Sequence, residues 1–570
     1  MTHPAQQLFD THRSTLDHAL SAIRNRTYWS AYPEVPSGKV YGETARDDGQ
    51  KAYEARLNAR FDPDQPATLG WVGGEVSPYG PALGVTYPKV DVPGLLAAAH
   101  SAMKSWGSAS IEARVGVCLE ILHRLNRRSF EMSFAVMHTT GQGWMMAFQA
   151  GGPHAQDRGL EAVAYAYDEM TRTPAHATWV KRVGKEETVT LEKRYRLVPR
   201  GVAVTIGCST FPTWNGYPGL FASLATGNAV VMKPHPGAIL PLAITVEIAR
   251  AVLKEAGFDP NVVTLAADTH DAPITKELVT HPLVRIVDYT GGSAFGEWIE
   301  QHARQATVYT EKAGVNSVVI DSVENLKPVT GNLAFSLSLY SGQMCTTPQN
   351  IFIPRTGIDT AEGRKSFDEV AGAIVKALDW LLGDPKRGAE ILGAIQNEHT
   401  LRRIGEARAV ALAAGGAVLR ESTPVANEQY PAARVRSPLV VRVEAAREEA
   451  FMREWFGPIV VIVPTDGTEQ SIDLAAKGAK RCGAITAAVY STNADVLARA
   501  EEALAEAGVS LSCNLTGSIW VNQAAAFSDF HVSGANPAGN ATLCDSAFVA
   551  GRFRVVQSRV LAPTAAAVAG

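Results

Sequence analysis

Two residues of this 570-residue sequence have types and surroundings suited to covalent chemistry. The first is Cys345, in Ser341-Gly342-Gln343-Met344-Cys345-Thr346. A free cysteine is ordinarily a small buried apolar side chain. Here a glycine and polar neighbours leave the thiol approachable. The second is Glu311, in Val308-Tyr309-Thr310-Glu311-Lys312-Ala313-Gly314, just beyond a strand-like run. By itself it reads equally well as a solvated charge at a strand end. The pair has a joint consequence. A thiolate adds to an aldehyde, loss of hydride leaves a thioester, and a carboxylate then activates water to release the acid.

Three further segments could hold a nucleotide. Tyr289-Thr290-Gly291-Gly292-Ser293-Ala294-Phe295-Gly296 follows a strand and opens a helix. Glycines there let the backbone approach a pyrophosphate, and a helix N-terminus favours its charge. An ordinary strand-to-helix turn would look the same. Lys233 ends the apolar run Val230-Val231-Met232. A lysine at that end of a buried strand faces the crevice where α/β sheets bind ligands, although it could also be a cap. Glu454-Trp455-Phe456-Gly457-Pro458 offers a carboxylate and an aromatic ring two positions apart, suited to a ribose and a ring, or simply to a turn.

The elements that must position these residues are legible as patterns. Residues 5–26 and 155–170 are helical in period, and 93–135 strongly so. Residues 30–95 read as irregular chain with short strands. Residues 178–198 alternate about a Gly-Lys-Glu turn and predict an exposed hairpin. Its long open strands make it the candidate oligomerisation element. From Gly201 onward, short apolar runs alternate with helices, first VAVTIGC, AVVMKP, VVTLAA and VRIVDYTG, then SVVIDS, NIFIPR, LVVRV, IVVIVP and TAAVYS. That alternation predicts parallel sheets and two α/β domains. The final TAAAVAG is the one low-complexity tract.

Composition excludes other classes. Hydrophobic residues make up 46% and charged residues 19%, with a formal net charge of -4. There is no basic excess for nucleic acid or an anionic membrane. No stretch approaches the ~20 apolar residues of a membrane span. The first residues lack the basic and apolar segments of a secretory signal. Six scattered cysteines form no C-x-x-C pair, which predicts no metal site and fits reduced thiols in the cytoplasm.

Taken in order, these segments resemble the aldehyde dehydrogenase superfamily over roughly residues 70–565. Glu311 precedes Cys345 by 34 positions, the family's register without a gap. The resemblance implies a Rossmann-like cofactor domain (1–177 and 199–311, with 1–70 an N-terminal extension), a catalytic domain (312–525), and an oligomerisation element (178–198 and 550–565). It implies Cys345 as nucleophile and Glu311 as general base. Gly291 and Gly296 would face the pyrophosphate, Lys233 the adenosine ribose, Glu454 the nicotinamide ribose, and Phe456 the ring. A homodimer or homotetramer is expected.

Two positions depart from the family pattern. The family has an oxyanion-binding Asn before a Phe-Pro pair. Counting back from Gly227-Asn228 without gaps puts Thr210 there, before Phe211-Pro212, with Asn215 as the fallback donor. NAD-preferring members often carry a Glu three residues after the lysine, where this chain has Pro236. With Lys233 and His235 available to a 2′-phosphate, NADP is expected, with NAD possible.

The N-terminal extension, Phe211-Pro-Thr-Trp-Asn-Gly-Tyr-Pro218 and Ser341-Gly-Gln-Met-Cys-Thr-Thr-Pro-Gln-Asn350 resemble the phenylacetic acid degradation PaaN branch. That branch implies oxidation of a CoA-linked ring-cleavage semialdehyde in aromatic catabolism. The alternatives are a CoA-acylating dehydrogenase, against which Glu311 counts, and a non-catalytic pathway partner with the dehydrogenase fold.

Overall fold

The computed structural model describes residues 4–185, 187–312 and 314–562. The Ala-rich tail, and with it the end of the 550–565 segment, lies outside the described residues.

The N-terminal helix Pro4–Asn25 buries Phe9, Leu16, Leu20 and Ile23 along one stripe. It lies against the helix Ile111–Arg127 so closely that a Cβ on Gly116 would meet the Phe9 amide at 2.5 Å. The single helical stretch expected at 93–135 is three helices, Val92–Trp106, Ile111–Arg127 and Ser129–Thr140. The first break falls at Gly107, and Ser110 then caps the second helix by accepting from the Ala113 amide. The stretch read as irregular contains a helix, Ala45–Glu54, that buries only Tyr53. Its polar sequence has no apolar period to detect. It is held by contact with Ser129–Thr140, where a Cβ on Gly49 would strike the Phe130 side chain at 2.4 Å.

The alternating runs form two sheets. The first has five parallel strands in the spatial order Val263–Leu265, Val230–Lys233, Val202–Ile206, Val284–Gly291, Thr307–Lys312. Chain order therefore reverses between Val202–Ile206 and Val284–Gly291, the switch point at which such sheets open a ligand crevice. The second has seven strands, with Pro348–Pro354 and Asn316–Ile320 at its centre. All its pairings are parallel except Ala417–Arg420 with Leu439–Arg442 at one edge. Buried on both faces, inner strands such as Val202–Ile206, Asn316–Ile320 and Ile459–Thr465 read as largely apolar runs. These are the two α/β units with parallel sheets that the alternating runs predict.

A separate three-stranded sheet joins the hairpin His176–Val183 and Glu187–Pro199 to the closing strand Phe553–Leu561. Its root is Arg552, fully buried, whose guanidinium donates to both oxygens of Asp288 at 2.6 and 2.8 Å.

Candidate active site

Cys345 follows a tight loop rather than a plain helix end. The helix Leu326–Ser338 runs into a single 3-10 turn, within which Tyr340, Ser341 and Gly342 have φ of 55°, 49° and 64°. Left-handed backbone costs a non-glycine residue about 1–2 kcal/mol, so neighbours must enforce it. The Ser341 hydroxyl donates to the carbonyls of Leu392 and Arg436. The Gln343 amide donates to the carbonyls of Tyr340 and Ala394 and accepts from the Gln396 amide. Gly342 passes so close to Gly457 that a Cβ would meet its carbonyl at 2.4 Å. Beyond the cysteine, Asn316 Nδ2 donates to the carbonyls of Cys345 and Thr347 at 2.8 and 3.0 Å. The polar residues around Cys345 thus lock the loop that presents it.

Glu311, near the end of the edge strand Thr307–Lys312, is 1% exposed. Asn215, in the first turn of the helix Pro212–Ala225, donates Nδ2 to both carboxylate oxygens at 3.0 Å. His531 Nε2 lies 2.8 Å from Glu311 Oε1 and 3.8 Å from Cys345 Sγ. One atom each of Glu311, Cys345 and His531 falls within 4.8 Å of the others. Burial pushes the Cys345 thiol well above its ordinary range, and the Glu311 charge pushes the same way.

Cys345, Asn215 and His531 line a cavity of about 490 Å³, and the last two hold Glu311 by hydrogen bonds. Its walls are largely apolar, with Phe211, Trp214, Phe335, Leu339 and Met344 near the thiol. Tyr28, Trp29, Ser30 and Glu34 of the N-terminal segment also line it. That segment is tethered to the helix Pro153–Thr171: the Ser30 hydroxyl and the Ala31 amide both donate to Asp157, and Glu34 pairs with His154 at 2.7 Å. No lysine or arginine is among the described residues lining the cavity.

Asn215, the fallback donor, lines this cavity. Thr210, favoured by register, is not among its lining residues. The Thr210 hydroxyl lies 3.8 Å from Cys208 Sγ and its carbonyl accepts from Gln142.

The nucleotide candidates gather at the carboxyl ends of the five-stranded sheet and on the loop against Gly342. The helix Ser293–His302 begins at Gly292 with no side-chain cap, and a Cβ built on Gly292 meets nothing within 4 Å. Open space therefore faces free N–H groups, which fits a pyrophosphate. Gly291 and Gly296 instead make room for neighbours, Tyr289 and the Lys312 stem respectively. Lys233 Nζ donates to Asp268 Oδ1 and to the Pro234 carbonyl, both at 2.7 Å. Burial pushes His235 down to about 3, so its imidazole is neutral. Burial pushes Glu454 up to about 7, and the Phe456 carbonyl accepts from Arg403. The uncapped helix start at Gly292 is thus the feature of this crevice that fits a dinucleotide's pyrophosphate.

Sequence reasoning did not find His531, Asp268 or the N-terminal wall of the cavity. His531 lies in Phe530-His531-Val532-Ser533, with no motif around it and 220 positions from Glu311.

The model of the aldehyde dehydrogenase family matches residues 86–541. The crystal structure of an NAD-dependent aldehyde dehydrogenase from Burkholderia multivorans is 57% identical, covers 99% of this chain and 100% of its own, and superposes with a TM-score of 0.96. The protein FUS7 of Gibberella fujikuroi is 28% identical over 308 residues, 52% of this chain and 61% of that protein. The chain thus spans about three fifths of the length of the first curated relatives it matches. The 1-pyrroline-5-carboxylate dehydrogenase of Geobacillus kaustophilus is 23% identical over 445 residues, 76% of this chain and 80% of that protein.

Proposed function

This chain belongs to the aldehyde dehydrogenase family, and from that premise we propose that it oxidises an aldehyde to a carboxylic acid through a thioester on Cys345. The observation that carries the reading is that Cys345 and Asn215 line one cavity while Glu311, bonded to Asn215, lies within 4.8 Å of the thiol. Cys345 gives its thiol proton to Glu311, which passes it to solvent, and Sγ adds as thiolate to the carbonyl carbon. Asn215 Nδ2 and the Cys345 amide are the donors available to the oxyanion. When bound, a nicotinamide ring accepts the hydride. Glu311 then takes a proton from water as the water oxygen joins the acyl carbon, and the C–S bond breaks with its electron pair returning to Sγ. Replacing Cys345 by Ala tests the nucleophile: aldehyde-dependent reduction of the cofactor must fall to background.

For the cofactor, the side-chain partners favour NAD over the NADP expected above. Asp268 pairs with Lys233, which leaves that lysine less free for a 2′-phosphate, and His235 is uncharged. The NAD-dependent relative of 57% identity supports this choice. Comparing kcat/KM with NAD and with NADP decides it.

For the substrate, the long apolar cavity without lysine or arginine supports an aldehyde whose far end carries no free carboxylate. A semialdehyde masked as a CoA thioester, its phosphates outside the cavity, meets that requirement and would place the protein in phenylacetate catabolism. The test is oxidation of a CoA-linked semialdehyde against the free semialdehyde acid, with the thioester expected to be preferred. Requirement for free CoA as acyl acceptor would favour the acylating reaction instead. The 1–177 with 199–311 and 312–525 units are the proposed cofactor and catalytic domains. The three-stranded sheet, with Val180, Val556, Val560 and Leu561 exposed, supports a homo-oligomer, and the six unbridged cysteines support a cytoplasmic protein.

A further inference from the structure

We propose that His531 is a catalytic residue, supplying one N–H donor that serves the Glu311 carboxylate and the Cys345 thiolate in turn. The inference rests on the thioester reading above and adds a group to it. Two anions are required at different moments of that cycle, and they would sit within 4.8 Å of each other, Glu311 buried and Cys345 partly so. Like charges so close and so desolvated suppress one another's ionisation, which is the direction in which Glu311 acts on Cys345. A donor between them relieves the conflict.

The geometry makes Nε2 that donor. Glu311 accepts from Asn215 through both oxygens, so it is held as an acceptor. The 2.8 Å contact from His531 Nε2 to Oε1 therefore carries its hydrogen on the imidazole. The same nitrogen is 3.8 Å from Sγ, a little beyond a good contact to sulfur, so a small ring rotation transfers the donor. The ring is held for such a movement. Trp214 meets it edge-on at 4.6 Å, its backbone amide donates to Cys544 Sγ, and its carbonyl accepts from the Thr542 hydroxyl. The titratable and charged groups around it are Glu311, Cys345 and Cys544, with the Arg158–Glu161 pair behind Trp214.

In deacylation the proton from water goes to Glu311, and the electron pair of the breaking C–S bond goes to Sγ. As Glu311 loses its charge and sulfur gains one, the Nε2 hydrogen follows the charge from oxygen to sulfur. No proton leaves His531, and the balance closes on water, Glu311 and Cys345.

The test needs no substrate. Iodoacetamide alkylation of Cys345 in the full chain, followed by peptide mass spectrometry across pH, reads the thiolate directly. His531→Phe keeps a ring without an N–H; His531→Gln keeps an N–H without the ring. The expected result is alkylation at pH 7 slowed tenfold or more in H531F, with its midpoint raised by about one unit or more, and recovered for the most part in H531Q. Glu311→Gln should instead accelerate alkylation, because the competing charge is gone. Wild-type alkylation rates in H531F, or an unchanged rate in E311Q, would overturn the role of His531. Failure of the thioester reading is distinct: Cys345 of the wild type would then resist alkylation, or Cys345→Ala would remain active.

Discussion

The side-chain amide of Asn215 lies 3.0 Å from both carboxylate oxygens of Glu311, so the proposed oxyanion donor also aims the proposed base. One amide thereby ties the two halves of the proposed reaction. Asn215→Ala should lower kcat by about 100-fold, the usual cost of one oxyanion donor, with both hydride transfer and hydrolysis affected. Thr210→Val should change kcat by less than about threefold, since a hydroxyl beside Cys208 lies away from the cavity lining and an exchange there removes no transition-state contact. Stopped-flow and steady-state rates on both variants check this.

The N-terminal segment forms one wall of the cavity, and Trp29 is its largest ring there. Trp29→Ala should raise KM for long or aromatic aldehydes by about tenfold, a loss of some 1.4 kcal/mol of contact, while KM for acetaldehyde barely moves. Equal effects on both would mean that Trp29 acts on the fold instead.

The tether of that segment is pH-sensitive. Burial raises Asp157 to about 7, above its ordinary value of 3.8. The folded state therefore holds a proton that the unfolded chain releases between those values. The stabilising share of Asp157 is complete below about pH 3.8 and is lost as pH rises through about 7. Asp157→Asn should be relatively more stable at pH 8 than at pH 5, by roughly 2–4 kcal/mol. Denaturant midpoints at the two values measure it.

Arg552 and Asp288 form a bidentate pair in the core beneath the hairpin sheet. Arg552→Ala strands a buried carboxylate and should cost about 3–5 kcal/mol. Arg559→Ala, at an exposed position on the same closing strand, should cost less than about 0.5 kcal/mol. Chemical denaturation distinguishes them.

The fold was legible wherever a strand is buried on both faces. Runs such as Val202–Ile206 and Ile459–Thr465 are apolar but for one threonine each, and local composition alone announces them. The helix Ala45–Glu54 was not, because its order comes from the surface it lies on. At the site, Cys345 and Glu311 were legible through their spacing. The Thr210 assignment followed a gapless count that fixes chain register but not where a helix begins; Asn215 sits in the first turn after Pro212. Lys233 and His235 looked like two cations. Asp268, which pairs with Lys233, and the burial that keeps His235 neutral arise from tertiary neighbours that no local pattern carries. His531 was invisible for the same reason.

Mass spectrometry of Glu311→Gln mixed with aldehyde and cofactor reads whether a thioester on Cys345 is released by Glu311-activated water. The expected result is a burst of about one reduced cofactor per site, turnover slowed by roughly 10²–10⁴-fold, and an acyl adduct on the Cys345 peptide. Full turnover without any adduct on Cys345 would contradict it.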